Sequence, residues 1–154
     1  MENMVRKLLI PIALAGTLTS APALAERSRS EETNIANAKA FYEAAINEKD
    51  FEKARAYMGD KYIQHNPIAP DGIEGFKGFL DYLKKNSPGR LADIKAAFAD
   101  GDYVILHVHG LGSGGSRGNA VIDIFRFDTN GKIIEHWDVI QPIPEKAANS
   151  NTMF

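Results

Sequence analysis

The segment 120-AVIDIFRFDTNGKIIEHWDVIQPIP-144 decides the fold of this 154-residue chain. Apolar residues recur at every second position on both sides of Asn130-Gly131, a dipeptide typical of tight β-hairpin turns. The segment is therefore predicted to form a hairpin of two long antiparallel strands, and the same alternation continues upstream. Four strands are predicted in all, near residues 92–99, 103–110, 119–127 and 132–141.

The residues before this sheet show helical periodicity instead. Apolar residues recur at three- and four-residue steps after Glu31 and again after Ile73, and Asp50 is a suitable N-cap for a short helix between them. A short stretch at 62–65 is predicted to be extended and to end at Asn66-Pro67, since a residue before proline avoids helical geometry. Three helices are predicted, over residues 31–47, 50–58 and 73–86.

This order of elements predicts an α+β domain. Three N-terminal helices would pack on one face of a curved, mainly antiparallel sheet and leave a pocket between the two layers. The glycine-rich run 110–118 lacks the order of a phosphate-binding loop and is predicted to be a hairpin connection. The tail from Glu145 is polar until Met153-Phe154, and is either loose or docked on a partner.

The N-terminus has the three parts of a bacterial secretory signal. Arg6 and Lys7 precede an apolar stretch at 8–18, and the small-residue triplet Ala23-Leu24-Ala25 follows. The apolar stretch is shorter than the roughly 20 residues that span a bilayer. We therefore predict a signal peptide at 1–25, a domain at 26–154, and a periplasmic or secreted product without a membrane anchor; the alternative is an uncleaved anchor.

Composition excludes several classes of function. The formal net charge is −2, and loss of residues 1–25 removes one acidic and two basic residues, which makes it −3. A mildly acidic surface argues against binding to nucleic acid, which needs clustered cations. The chain has no cysteine, which excludes disulfides, thiol nucleophiles and thiolate metal sites.

Polar residues interrupt the apolar strands at a few positions. Asp123 shares its strand face with Val121, Phe125 and Phe127, so its carboxyl lies in an apolar row and needs a partner if it is buried. The alternative is an aspartate that faces solvent at a sheet edge. Asp123 is the first candidate for a functional residue.

Histidines and a second aspartate lie on the neighbouring strands. A concave sheet would gather Asp123 and these residues around one cavity, where a histidine can accept or donate a proton. The cavity set is His107, His109, Asp123, His136 and Asp138. His107-x-His109 with nearby carboxylates is also a weak signal for a divalent metal, but no recognised metal motif is present. We therefore expect neither a metal nor another cofactor.

Three stretches together resemble the SnoaL-like polyketide cyclase family, and more narrowly its branch of predicted aldol-condensation-catalysing proteins. They are YIQHNP from Tyr62, DYVILHVHG from Asp102, and the segment from Ala120, in which EHWDVIQP from Glu135 is the most specific part. The resemblance implies a cone-shaped nuclear transport factor 2-like fold. It also implies a homodimer formed through the outer face of the sheet.

A more distant resemblance to ketosteroid isomerases concerns the pattern V-I-D…R-F-D…G from Val121. It implies that Asp123 corresponds to the acid, and Tyr42 to the tyrosine, that together hydrogen-bond an enolate. The base of those isomerases falls on Asn66, which cannot accept a proton. In the cyclases, an aspartate at the Asp123 position acts as acid or base, so the resemblance pairs Asp123 with a histidine, either His65 or His107.

Two functions remain open on this basis. The first is an enzyme that transfers a proton next to a carbonyl, as in aldol condensation, cyclisation or isomerisation, and acts on a small apolar carbonyl-containing metabolite. The second is an exported module that binds a small molecule or a partner without catalysis. The catalytic candidates are Tyr42, His65, His107 and Asp123; the substrate-binding candidates are Asn66, His109, His136, Trp137 and Asp138.

Overall fold

The computed structural model describes residues 28–112 and 115–154. The predicted signal peptide at 1–25 lies outside the described residues, and export therefore stays a prediction. No helix within the described ranges has the length and apolar character needed to cross a bilayer. The helices are α1 (Arg29–Tyr42), a π-helical turn (Glu43–Asn47), α2 (Phe51–Arg55) and α3 (Gly72–Asn86); the strands are β1 (Met58–Gln64), β2 (Leu91–Asp100), β3 (Tyr103–Leu111), β4 (Asn119–Phe127) and β5 (Ile133–Pro142).

The five strands form one curved, unclosed sheet in the order β1-β5-β4-β3-β2. β2 to β5 form an antiparallel meander, as the hairpin signals predicted, and β1 joins the edge of β5 in parallel. The helices cover one face of this sheet, and the hydrophobic core lies between the two layers. The predicted α+β, nuclear transport factor 2-like architecture is confirmed.

The first helix begins where its sequence provides a cap. Ser28 accepts a hydrogen bond from the Glu31 backbone, and the Glu31 carboxylate accepts one from the Ser28 backbone N–H at 2.7 Å, which satisfies two otherwise unpaired donors. The helix continues past Tyr42 as a π-helical turn, a rare local geometry that is frequent at functional sites. Tyr42 therefore lies at the junction of two helical geometries.

The second helix is shorter than predicted. Asp50 caps it as expected, through a 3.1 Å hydrogen bond from the Lys53 N–H, but the helix ends at Arg55 rather than at residue 58. Met58 already pairs with Ile133 in the sheet, and the Ile133 N–H donates to the Tyr57 carbonyl at 2.8 Å. Strand pairing thus overrides the local helical pattern.

The register between β3 and β4 fixes which residues face the helices. Leu106 pairs with Asp123, and Val108 with Val121, so these residues share the inner face. Gly118 helps to set the register: its φ is +78°, and a Cβ there would lie 2.1 Å from the Gly110 carbonyl oxygen. Any other residue at Gly118 would push the two strands apart.

The outer face of the sheet carries the end of the chain. The Phe154 ring lies 4.7 Å from His109 and 5.2 Å from His107, centroid to centroid, and Lys95 lies over the same ring. The last residue of the tail therefore packs on the sheet of its own chain. Phe98, Tyr103 and Val139 remain exposed elsewhere on the outer face or its edges. The homodimer stays a prediction.

Candidate active site

A cavity of about 560 Å³ lies between the sheet and the helices, within the usual size range of small-molecule sites. Most of its wall is apolar, with a group of polar side chains contributed by the sheet, α1 and two connecting segments. The apolar lining includes Phe41, Ala45, Ile46, Phe76, Phe79, Leu83, Val121, Phe125 and Ile140. The polar lining includes Tyr42, Tyr62, Gln64, Asn66, Arg90, Asp123, His136 and Asp138.

Asp123 is the most buried carboxyl group of this cavity, at 4% exposure. The Tyr42 hydroxyl donates to Asp123 Oδ2 at 2.8 Å, and His136 Nε2 lies 3.0 Å from Asp123 Oδ1. Both oxygens therefore have protein partners, as burial of a carboxyl group requires. The expectation of a solvent-facing aspartate at a sheet edge is excluded.

His136 is held in one tautomer by Gln64. The Asn66 backbone N–H donates to Gln64 Oε1 at 2.9 Å, which identifies this atom as an acceptor, so His136 Nδ1, 3.0 Å away, donates to it. One proton then lies between His136 Nε2 and Asp123 Oδ1, on either the imidazole or the carboxyl. The Asp123–His136 pair has a net charge of zero in both cases.

Asp138 is the second carboxylate of the cavity and the less buried of the two. Asn66 Oδ1 accepts from the Ile68 N–H at 2.9 Å, so Asn66 Nδ2 points the other way and donates to both Asp138 oxygens at 2.8 Å. Asp138 is only partly buried and pairs with Asp123 in the β4–β5 register. Its oxygens keep further lone pairs, with which Asp138 can accept a proton or hydrogen bond from a molecule in the cavity.

Burial and charge act strongly on two cavity tyrosines. Burial raises the pKa of Tyr42 well above its ordinary value, and the charge and hydrogen bond of Asp123 raise it further. Burial, followed by the charges of Asp123 and Asp138, also raises the pKa of Tyr62. Both hydroxyls therefore remain protonated in the folded protein, and Tyr42 remains a hydrogen-bond donor.

This predicts the outcome of a tyrosinate titration of Tyr42→Phe. The variant and the wild type should develop the same ultraviolet tyrosinate absorbance while folded, because Tyr42 does not ionise. In denaturant the wild type should show one additional tyrosinate near pH ~10. The contribution of Tyr42 to the free energy of unfolding should be fully present below that pH. It should decline above it, because Tyr42 then ionises in the unfolded chain but not in the folded protein. A Tyr42 signal in the folded protein near pH ~10 would contradict this.

One cluster within the described residues has metal-ligand chemistry. One ligand atom each from Asp123, His136 and Asp138 lies within 4.8 Å of the others. A metal there would have to replace the hydrogen bond between Asp123 and His136, and would compete with Asn66 for Asp138. These three residues differ from the His107-x-His109 set considered from the sequence, and we assign no metal to them.

The structure brings five of the predicted site residues to the cavity and separates four from it. Tyr42, Asn66, Asp123, His136 and Asp138 line the cavity. His65, His107, His109 and Trp137 do not.

The expectation that His107 and His109 share the cavity with Asp123 is wrong. His107 pairs with Ile122 and His109 with Ala120, one position out of phase with the Leu106–Asp123 pair, so both histidines project from the outer face. Their rings contact Phe154 there, and His109 Nε2 lies 2.9 Å from the Arg117 carbonyl oxygen. Neither His107 as base nor His109 as a substrate contact fits this placement.

His65 and Trp137 also lie on the outer face. Their rings stack at 4.5 Å with an angle of 5°, and His65 Nε2 is 2.8 Å from Glu135 Oε1. Desolvation raises the pKa of Glu135, but hydrogen bonds from His65 and Arg126 outweigh it, and the pKa lies below its usual value. This placement therefore does not fit His65 as a base or Trp137 as a substrate contact. The stacked rings instead connect the end of β1 to β5.

Sequence reasoning missed three residues that line the cavity. Tyr62 and Gln64 alternate with Asn66 along an extended segment, so a period of two would have placed all three on one face. Arg90 lies between α3 and β2, directly after Pro88-Gly89. The sequence of a turn does not indicate where the side chain of the next residue points. Only the folded structure shows that Arg90 lines this cavity.

Comparison with solved structures identifies the fold. TsrD from Streptomyces laurentii matches with a TM-score of 0.60 at 22% identity, over 75% of this chain and 91% of that protein. A candidate SnoaL-like polyketide cyclase from Jannaschia sp. CCS1 matches with a TM-score of 0.62 at 19% identity, over 75% and 90% of the two chains. AclR, a candidate hydroxylase from Streptomyces galilaeus, matches with a TM-score of 0.59 at 18% identity, over 74% and 82%.

Sequence comparison identifies the family. A search of curated proteins gives no significant match. The family model of the SnoaL-like domain, however, matches residues 38–136, which is more than half of the chain. That range runs from α1 to His136 and includes Tyr42, Asn66 and Asp123. The chain is therefore a member of the SnoaL-like family.

Proposed function

We propose that this protein is a small-molecule enzyme that transfers a proton at a carbon next to a carbonyl group, with Asp138 as the acid–base residue. The single observation that carries the proposal is the difference between the two carboxyl groups of the cavity. Each oxygen of Asp123 has a protein partner of its own, whereas the two oxygens of Asp138 share one amide group. This assigns to Asp138 the base role that the sequence left open among the four histidines, with His65 and His107 as the first candidates.

The proposed reaction begins with a ketone whose acidic C–H bond lies against Asp138. Asp138 takes the proton, and the electrons of the C–H bond form an enolate, so the negative charge moves from the carboxylate to the substrate oxygen. One ligand atom each of Asp123 and His136 lies within 4.8 Å of an Asp138 ligand atom, so the polar Asp123–His136 pair, which carries no net charge, would stabilise the enolate through its dipole. Asp138 then returns its proton. If a different carbon of the enolate system takes that proton, the product is an isomer. If the enolate carbon instead bonds to a second carbonyl carbon, the C=O π electrons move to its oxygen, and this oxygen takes the proton from Asp138, which completes an aldol addition.

Tyr42 and Gln64 would prepare the pair for this role. Tyr42 donates to the second oxygen of Asp123, and Gln64 accepts from His136 Nδ1, so the orientation of both groups is fixed before substrate binds. The rings of Phe125 and Tyr62 flank His136, at 4.9 and 6.3 Å between centroids. Such a dry, preorganised surrounding strengthens electrostatic stabilisation of an enolate.

Deuterium exchange tests the proposal without knowledge of the natural substrate. The mature protein is incubated in D₂O with a panel of alkyl, aryl and cyclic ketones, and loss of the proton next to the carbonyl is followed by NMR. We expect at least one ketone to exchange faster than in buffer, and a competitive ligand of the cavity to suppress the exchange. If ketones bind in the cavity and exchange at the buffer rate, the non-catalytic binding module is favoured.

A further inference from the structure

Arg90 provides a fixed positive charge to the cavity. Among the described residues that line the cavity, it is the only lysine or arginine. Its guanidinium lies 6.0 Å from the centroid of the Phe79 ring, and no carboxylate in the described part of the chain comes within ion-pair distance of it. The charge is half-buried but not neutralised by the protein, which is unusual for an arginine in an apolar wall.

The backbone of Arg90 is fixed from two sides. Its N–H donates to the Ser87 carbonyl at 3.0 Å, and its carbonyl accepts from Lys49 Nζ at 2.8 Å. Lys49 is 5% exposed, and its amine also bonds to the Ile46 carbonyl at 3.1 Å. Lys49 adopts a φ of +56°, which is unfavourable for a residue with a Cβ, and these two bonds hold it there.

The cavity therefore combines two charges in an apolar wall. Asp138 is negative, the Asp123–His136 pair is neutral, and Arg90 is positive. Both single charges act on the Tyr42 hydroxyl in opposite directions, Arg90 lowering and Asp138 raising its pKa. Arg90 therefore lies within electrostatic range of the Tyr42 hydroxyl. A molecule that complements this wall has an apolar body and one anionic group.

We propose that Arg90 binds a carboxylate of the substrate, and that the cavity accepts a carbonyl compound with an apolar body and one carboxylate group. This inference rests on the proposed function and deepens it by naming the substrate class. The planar guanidinium presents two parallel N–H donors, which match the two oxygens of a carboxylate. Lys49 is a positioning residue, because it acts only through the backbone of Arg90.

A matched pair of unreactive ligands tests the carboxylate site. Phenylbutyrate and phenylbutyramide share an apolar body and differ in charge, and their affinities for the full mature protein are measured by calorimetry. Wild type should bind phenylbutyrate about ten-fold more tightly, as expected for a charge-assisted hydrogen bond. Arg90→Gln should reduce this ratio to about one, and Arg90→Lys should retain part of it. Arg29→Gln, the same change at an exposed helix start, should leave the ratio unchanged.

Two outcomes overturn the carboxylate site: equal binding of both ligands by wild type, or a preference for phenylbutyrate that persists in Arg90→Gln. Asp138→Asn separates this inference from the proposed function, since it should abolish exchange but keep the carboxylate preference. If Asp138→Asn loses exchange and Arg90 has no role in binding, the proposed enzyme is supported and the carboxylate site is contradicted. If the preference for phenylbutyrate depends on Arg90 but no bound ketone exchanges, the carboxylate site is supported and the proposed enzyme is contradicted.

Discussion

Asp138→Asn should slow deuterium exchange at the substrate carbon by a factor of about 100 to 10,000, the usual contribution of a general base. Asparagine has nearly the same shape and can accept the hydrogen bond from Asn66 through its amide oxygen. It cannot accept a proton, so the variant should retain the fold and the cavity and lose the chemistry. The exchange rate of a responsive ketone is measured by NMR for the wild type and the variant.

The control is Asp81→Asn, the same substitution at an exposed position of α3 that does not line the cavity. It should exchange the ketone at the wild-type rate. Asp123→Asn separates the two assignments: the family resemblance indicated Asp123 and one histidine as the proton-transfer pair, and we propose Asp138 instead. If Asp138→Asn keeps the full rate and Asp123→Asn loses it, the base is Asp123 and our assignment is wrong.

His136→Leu should lower the free energy of unfolding by about 3 to 5 kcal/mol, the cost of breaking a buried charge-bearing pair by removal of one partner. The variant leaves Asp123 Oδ1 without its hydrogen bond in a site where Asp123 is 4% exposed. It also leaves Gln64 Oε1 with the Asn66 N–H alone. Urea unfolding at neutral pH measures the change.

A double-variant cycle shows whether this cost belongs to the pair. His136→Leu combined with Asp123→Leu removes both partners, and should cost at least ~1 kcal/mol less than the sum of the two single changes. His107→Leu is the matched control, because it replaces a half-buried histidine on the outer face, where only the Phe154 ring contact is lost. Additive costs would show that Asp123 and His136 are not coupled.

The sequence was sufficient to predict the fold class because the patterns that indicate helices, strands and turns are local in the chain. Alternation of apolar residues predicts strands, and Asn130-Gly131 fits the hairpin turn between β4 and β5. The same alternation placed Asp123 in an apolar row, and the row is buried. The sequence did not reveal the end of α2, because Met58 is drawn into the sheet by Ile133, which lies 75 residues away in the chain.

The candidate site was only partly predictable, for a reason that lies in sheet geometry. Within β3 the sequence separates His107 and His109 from Leu106 and Val108, but it does not say which set faces the helices. The apolar set pairs with the Asp123 row and is buried, because it removes more apolar surface from water. The two histidines are therefore left on the outer face.

The sequence by itself determined the family, the layers of the fold and the place of Asp123 in an apolar row. Only the tertiary structure decided which of the two cavity carboxylates has fewer protein partners. Asp123 and Asp138 are equally short acids on paired strands, and their difference arises from Tyr42 in α1, His136 in β5 and Asn66 after β1. A residue's hydrogen-bond partners depend on packing across the layers, and no pattern local to Asp123 or Asp138 specifies them.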